Sequence, residues 1–107
     1  MSIQELYTLL KSIKLPVVYH SFKASGEKVK QPPYIIYFAT KSNNTGADNK
    51  VYFKRNNFTI ELYTEKKDNK LEQKLEGALD SASIFYDKIE NYLDTESMYQ
   101  ISYQIEI

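Results

Sequence analysis

The chain has 107 residues and no cysteine, room for one domain of ordinary size (~100–150 residues). The missing cysteines exclude a disulfide framework, a thiolate zinc site and a thiol nucleophile together. The longest uncharged apolar run, Tyr34 to Ala39, is far short of the ~20 residues of a membrane helix. Glu5 stands where a secretory leader would carry positive charge, so neither a membrane span nor secretion is expected.

In chain order, Ser2-Ile3-Gln4-Glu5 is a capping box that starts a helix with Ile3, Leu6, Tyr7, Leu10 and Ile13 on one apolar stripe. Pro16 ends it, because the residue before a proline avoids helical geometry. A short strand, Val17 to His20, is expected next. Ser21 to Lys30 is polar, rich in lysine and contains Gly26, which predicts a loop. Tyr34 to Ala39 is apolar on both alternating faces, the signature of a central strand. After the turn formers Ser42 to Asn49, a long strand is expected from Val51 to Thr64, pairing with the previous strand as an antiparallel hairpin.

Asp68 or Asn69 caps a second helix with Leu71, Leu75, Ala78, Leu79 and Ala82 on one face. Gly77 falls opposite that stripe, in solvent. Ile84 to Leu93 and Met98 to Ile107 follow as strands. In the last, Tyr99, Ile101, Tyr103, Ile105 and Ile107 point one way and Gln100, Ser102, Gln104 and Glu106 the other, so one face is buried and one is wet. The expected fold is one α+β domain over residues 1–107, a mainly antiparallel sheet of four to five strands with two helices packed on one face.

Little in the chain points to chemistry. His20 is the only histidine, with no nucleophile or orienting acid beside it in sequence, and is read as structural or exposed. Glycines at 26, 46 and 77 build no phosphate loop, and no metal-ligand spacing occurs. The carboxylate pairs Glu61/Glu65 and Glu72/Glu76 are expected on a strand face and an exposed helix face, both solvated. Neither a catalytic residue nor a cofactor is assigned.

Charge and aromatic content are more informative. Fourteen basic and fourteen acidic residues cancel, so there is no general pull on nucleic acid or anionic membrane. Residues 1–55 nevertheless hold nine basic and three acidic side chains, net +6, and residues 56–107 hold five and eleven, net −6. Thirteen of the basic residues are lysine and only Arg55 is arginine, a poor composition for clamping phosphates. Ten tyrosines and five phenylalanines suit strands and protein interfaces. If Phe58, Ile60 and Leu62 face the helices, Val51, Phe53, Thr59, Glu61 and Tyr63 point away from them. Beside these runs either Ile35/Tyr37 or Ile36/Phe38; parity alone leaves both open. Val51, Phe53, Glu61, Tyr63 and Tyr37 are therefore the candidate subunit or partner contacts on an uncovered apolar face. Asn43, Asn44, Asp48 and Asn49 form a candidate contact loop.

Several stretches carry a family resemblance: Leu15-Pro16-Val17-Val18-Tyr19, Pro32-Pro33-Tyr34-Ile35-Ile36-Tyr37, Ala47-Asp48-Asn49, Ile60-Glu61-Leu62-Tyr63-Thr64, Lys67-Asp68 and Glu96-Ser97-Met98-Tyr99-Gln100. Together they span nearly the whole chain. The sequence resembles the small tail-completion or head–tail joining (minor structural) proteins of long-tailed bacteriophages and prophages of Gram-positive bacteria, which are similar in fold to phage tail-terminator proteins. The resemblance implies a homo-oligomeric ring, commonly hexameric, at the head–tail interface of the virion, assembled in the host cytoplasm. Its implied partners are tail-tube and head-connector proteins, with no enzyme activity, no cofactor, no membrane and no sequence-specific nucleic acid. A small adaptor or inhibitor that binds a protein through an aromatic sheet face is the alternative.

Overall fold

The computed structural model describes the backbone of residues 1–42, 45–47, 50–53 and 56–107, with side chains described outside 41–55. Helix α1 (Ile3–Lys11) starts at the capping box: the Glu5 amide donates to Ser2 Oγ at 3.1 Å and the Ser2 amide to Glu5 Oε1 at 3.0 Å. Helix α2 (Asn69–Ser81) is capped by Asp68, whose carboxylate accepts from the Leu71 amide at 3.0 Å. Strands β1 (Val17–Tyr19), β2 (Tyr34–Ser42), β5 (Asn56–Thr64), β6 (Tyr86–Leu93) and β7 (Met98–Glu106) form one sheet in the order β1-β2-β5-β7-β6. Strands β3 (Thr45–Ala47) and β4 (Lys50–Phe53) make a separate two-stranded ribbon. The fold is α+β, with β1 parallel to β2 and every other pair in the large sheet antiparallel.

Both helices cover the same sheet face. Leu6, Leu10, Leu75 and Leu79 pack on Val17, Ile35, Ile60, Leu62, Ile101 and Tyr103, most of them with no solvent contact. The register explains this layer, since Ile35 sits opposite Leu62, Leu62 opposite Ile101, and Tyr37, Ile60 and Tyr103 share the next row. Odd positions of β7 are thus inside, as its alternation predicts. At ~25 cal/mol per Å² of apolar surface, each of these leucines contributes roughly 1.5–3 kcal/mol.

The structure departs from the sequence expectations in three places. The long strand expected from Val51 to Thr64 is divided between β4 and β5, because β4 pairs with β3 and leaves β2 to β5 alone. The strand expected from Ile84 starts at Tyr86, because the Ile84 amide donates to the Leu79 carbonyl and closes the end of α2. The loop after β1 is also more than solvent-exposed connection. A turn over residues 21–27, with Gly26 at φ 71°, folds Phe22 onto the sheet face opposite the helices. There Phe22 packs edge-on to Tyr34, with ring centroids 4.9 Å apart, beside Val18 and Ile36.

Gly77 lies on the exposed side of α2, and a Cβ there would meet no atom within 4 Å. Gly77→Ala should therefore stabilise the protein by about 0.5–1 kcal/mol through reduced backbone entropy of the unfolded chain. A higher thermal midpoint in calorimetry checks this; a lower one contradicts it.

Candidate functional site

The sequence-derived contact residues do not converge on one surface. Glu61 and Tyr63 share the sheet face away from the helices, but their polar ends are tied to each other. The Tyr63 hydroxyl donates to Glu61 Oε1 at 2.8 Å, while Gln100 Nε2 donates to the Tyr63 hydroxyl at 2.8 Å and to Glu61 Oε2 at 3.1 Å. The Tyr63 ring stacks on Tyr34, with centroids 5.0 Å apart and planes at 27°. Burial pushes the Tyr63 phenol well above its ordinary range, and its bond to the Glu61 carboxylate adds to that. This triangle satisfies itself and leaves no reactive group pointing outward.

Tyr37 belongs to the opposite face, which corrects its grouping with Glu61 and Tyr63. The pairing of Tyr37 with Ile60 settles the parity that sequence left open: Ile35 and Tyr37 face the helices, and Ile36 and Phe38 face away. The expectation of an uncovered apolar face is corrected as well, since Phe22 and its loop close over Tyr34 and Ile36. Asn43, Asn44, Asp48 and Asn49 lie outside the described residues, as do the side chains of Val51 and Phe53. The backbones of Val51 and Phe53 belong to the β3–β4 ribbon, opposite Gly46 and Thr45.

Tyr37 instead forms the floor of an aromatic groove at the β1 edge. The groove, about 420 Å³, is lined by Ile3, Gln4, Tyr7, Thr8, Tyr19 and Tyr37. Tyr19 meets Tyr37 edge-on at 5.1 Å, and Tyr7 lies 6.3 Å from it. Ile3, Tyr7 and Tyr19 are each about two-fifths exposed, so this apolar surface is accessible rather than core. A second depression, about 720 Å³, lies where β2 and β7 end and β5 begins, near the exposed ring of Phe85. Its lining includes Thr40, Asn57, Thr59, Asp87 and Gln104, with no histidine or lysine among the described residues to act with Asp87.

The carboxylates of α2 are the main surprise. Glu72, expected in solvent, is 2% exposed and is held by Lys67 Nζ at 2.8 Å and Lys88 Nζ at 2.8 Å. Lys67 also binds Glu90. Glu76, one turn on, takes Lys88 Nζ at 2.9 Å and accepts from the hydroxyls of Tyr103 at 2.7 Å and Tyr86 at 3.3 Å. Helical spacing predicts that Glu72 and Glu76 share a flank of α2; of their partners Lys67 lies just before the helix, and Lys88, Tyr86 and Tyr103 come from β6 and β7, distant in sequence. Burial and the Glu76 carboxylate push the Tyr103 phenol far above its ordinary range, so it stays a donor. The cluster can hold α2 on the sheet, but every charge in it is already engaged, and neither depression is lined by it.

His20 is exposed, 6.3 Å from the Phe38 ring, with no carboxylate or hydroxyl partner among the described residues. No group of three or more histidine, aspartate or glutamate side chains among the described residues is arranged to hold a metal. No family model matches the chain, and no curated protein matches it significantly.

Burial raises the Glu76 carboxyl, but Lys88 and the Tyr103 hydroxyl outweigh that and hold it below its ordinary value of 4.5. A carboxyl depressed in the fold contributes stability above its unfolded value and loses it as pH falls through the folded value. Glu76→Gln should therefore flatten the loss of stability between about pH 5 and pH 3. Urea midpoints across that range read the slope directly. An unchanged slope would remove Glu76 from the acid response.

Proposed function

We propose that this protein is a structural subunit of a phage head–tail joint, assembling into a ring as a tail-completion, tail-terminator or head–tail joining component, and acting by surface complementarity rather than catalysis. One observation supports this most directly. The sheet order places β1 and β2, from the basic half of the sequence, at one edge, and β5, β7 and β6, from the acidic half, at the other. Ring closure needs unlike patches on opposite sides of a subunit, so that each copy presents one patch and receives the other. A charge split along the sequence that is also a split across the sheet supplies such patches.

The resemblance in the strand and turn segments points the same way. DNA must slide through a ring at this position, where tight phosphate binding would be counterproductive. A neutral chain with a single arginine suits that role, because it has little capacity for counterion release. The adaptor reading relied on an open aromatic sheet face, and Phe22 closes over Tyr34 and Ile36 of that face.

A phage with an early stop codon in this gene, viewed by electron microscopy of the lysate, tests the proposal. Full heads beside separate tails of normal length are expected for a joining component, and tails of uncontrolled length for a terminator. Normal joined particles would overturn both.

A further inference from the structure

Among the described residues no strand pairs with the outer side of β1 or of β6, although the Tyr19 carbonyl of β1 accepts from the Ser21 amide at 2.8 Å and from Ser25 Oγ at 2.9 Å. The two edges differ in a way that suggests how copies meet. β6 is a full-length edge: its eight residues pair with β7 without a register shift, and all but the first and last are exposed. It contains no proline and no bulge, two of the devices that blunt an edge; its charges Asp87, Lys88 and Glu90 are the device it does carry. Lys88 and Glu90 are turned to α2 and Lys67, so Asp87 is the β6 charge without an ion pair among the described residues. Ile89 and Tyr92, about half exposed, stand on either face. β1, the opposite edge, lies beside the aromatic groove of Tyr7, Tyr19 and Tyr37.

Charge separates the two edges further. Lys11 and Lys14 lead into β1, and Lys23, Lys28 and Lys30 follow it; none makes an ion pair among the described residues. Asp80 leads into β6, and Asp94 and Glu96 follow it, also without ion pairs among the described residues. Strand direction completes the match. β1 and β2 run one way, β5 the other, β7 with β2, and β6 against it. A second copy placed beside the first, same way up and with helices on the same side, therefore sets its β1 antiparallel to the first copy's β6.

We propose that the β6 edge of one copy pairs antiparallel with the β1 edge of a second copy, continuing one sheet from subunit to subunit with the lysines around β1 facing the carboxylates around β6. This interface rests on the reading of the chain as a self-assembling subunit and names the surfaces that reading requires. Pairing β6 with β6 would bring acidic segments together, a like-charge juxtaposition that disfavours it. The occupant of each edge is thus the other edge of another copy.

The absence of native cysteine makes the interface directly readable. Tyr19→Cys is mixed one-to-one with single-cysteine variants at each β6 position from 86 to 92, under mild oxidation. A disulfide needs Cα atoms within ~4.4–6.8 Å, so it should form with a helix-side position among 86, 88, 90 and 92 and not with 87, 89 or 91. Charge reversal provides a second reading in the event that a cysteine variant fails to fold. The Asp87→Lys/Asp94→Lys double variant should weaken self-association about tenfold or more, and a Lys23→Glu/Lys28→Glu partner should restore it in a mixture. Self-association by light scattering with cross-links only between two β6 strands, or with no response to charge reversal, would overturn this interface and leave the subunit reading standing. A monomer at every concentration, with no cross-link, would overturn both.

Discussion

Glu72 is a carboxylate inside the protein, and the position of α2 depends on how it is paid for. Two ammonium groups reach it from different directions, Lys67 from the segment before α2 and Lys88 from β6. Replacing such a cluster as a whole by apolar residues can be neutral, but removing one partner leaves a buried charge uncompensated. The arrangement therefore specifies more than it stabilises. It sets α2 at one height over β6 and β7, and Glu76 extends the same hold to the hydroxyls of Tyr86 and Tyr103. Lys88 also lies 5.9 Å from the Tyr103 ring centroid, so one lysine engages both carboxylates and an aromatic face.

Where a structural decision was local, the sequence could be read. The capping box at Ser2, the cap at Asp68, the leucine stripe of α2 and the alternation of β7 all rest on neighbours within a turn or a strand, and all are found. The decisions that involve distant partners were not legible. Nothing near Glu72 in sequence announces Lys88, and a carboxylate beside a leucine stripe looks like the solvated flank of an ordinary helix. The parity of Tyr37 had the same origin: a strand apolar on both faces has no preferred side until β5 fixes the register.

Phe22 and the aromatic groove show what a finer reading could have caught. Phe22 is the one aromatic residue in a lysine-rich loop, and that isolation is itself a signal that the loop folds back on something. The groove combines Tyr7 of α1 with Tyr19 and Tyr37 of neighbouring strands, which no linear pattern joins. The contact residues proposed from strand alternation were scattered because the long strand they assumed is divided between a ribbon and the main sheet.

The parallel pairing of β1 with β2 has a consequence for the order in which the sheet forms. Antiparallel neighbours can zip from a turn, whereas β1 reaches β2 only after the chain from His20 to Pro33 has closed on itself. That closure entropy is spent before three residue pairs can return it. β6 and β7 form a hairpin, while β5 meets β7 across 35 to 49 residues of chain. β1, held by three residue pairs where each other pairing of the sheet has eight, is the first strand to leave. Amide exchange would record this as protection that fades at Val17–Tyr19 while β5 and β7 still hold theirs. An edge that opens readily while its own core stays closed can exchange one neighbour for another without unfolding the subunit.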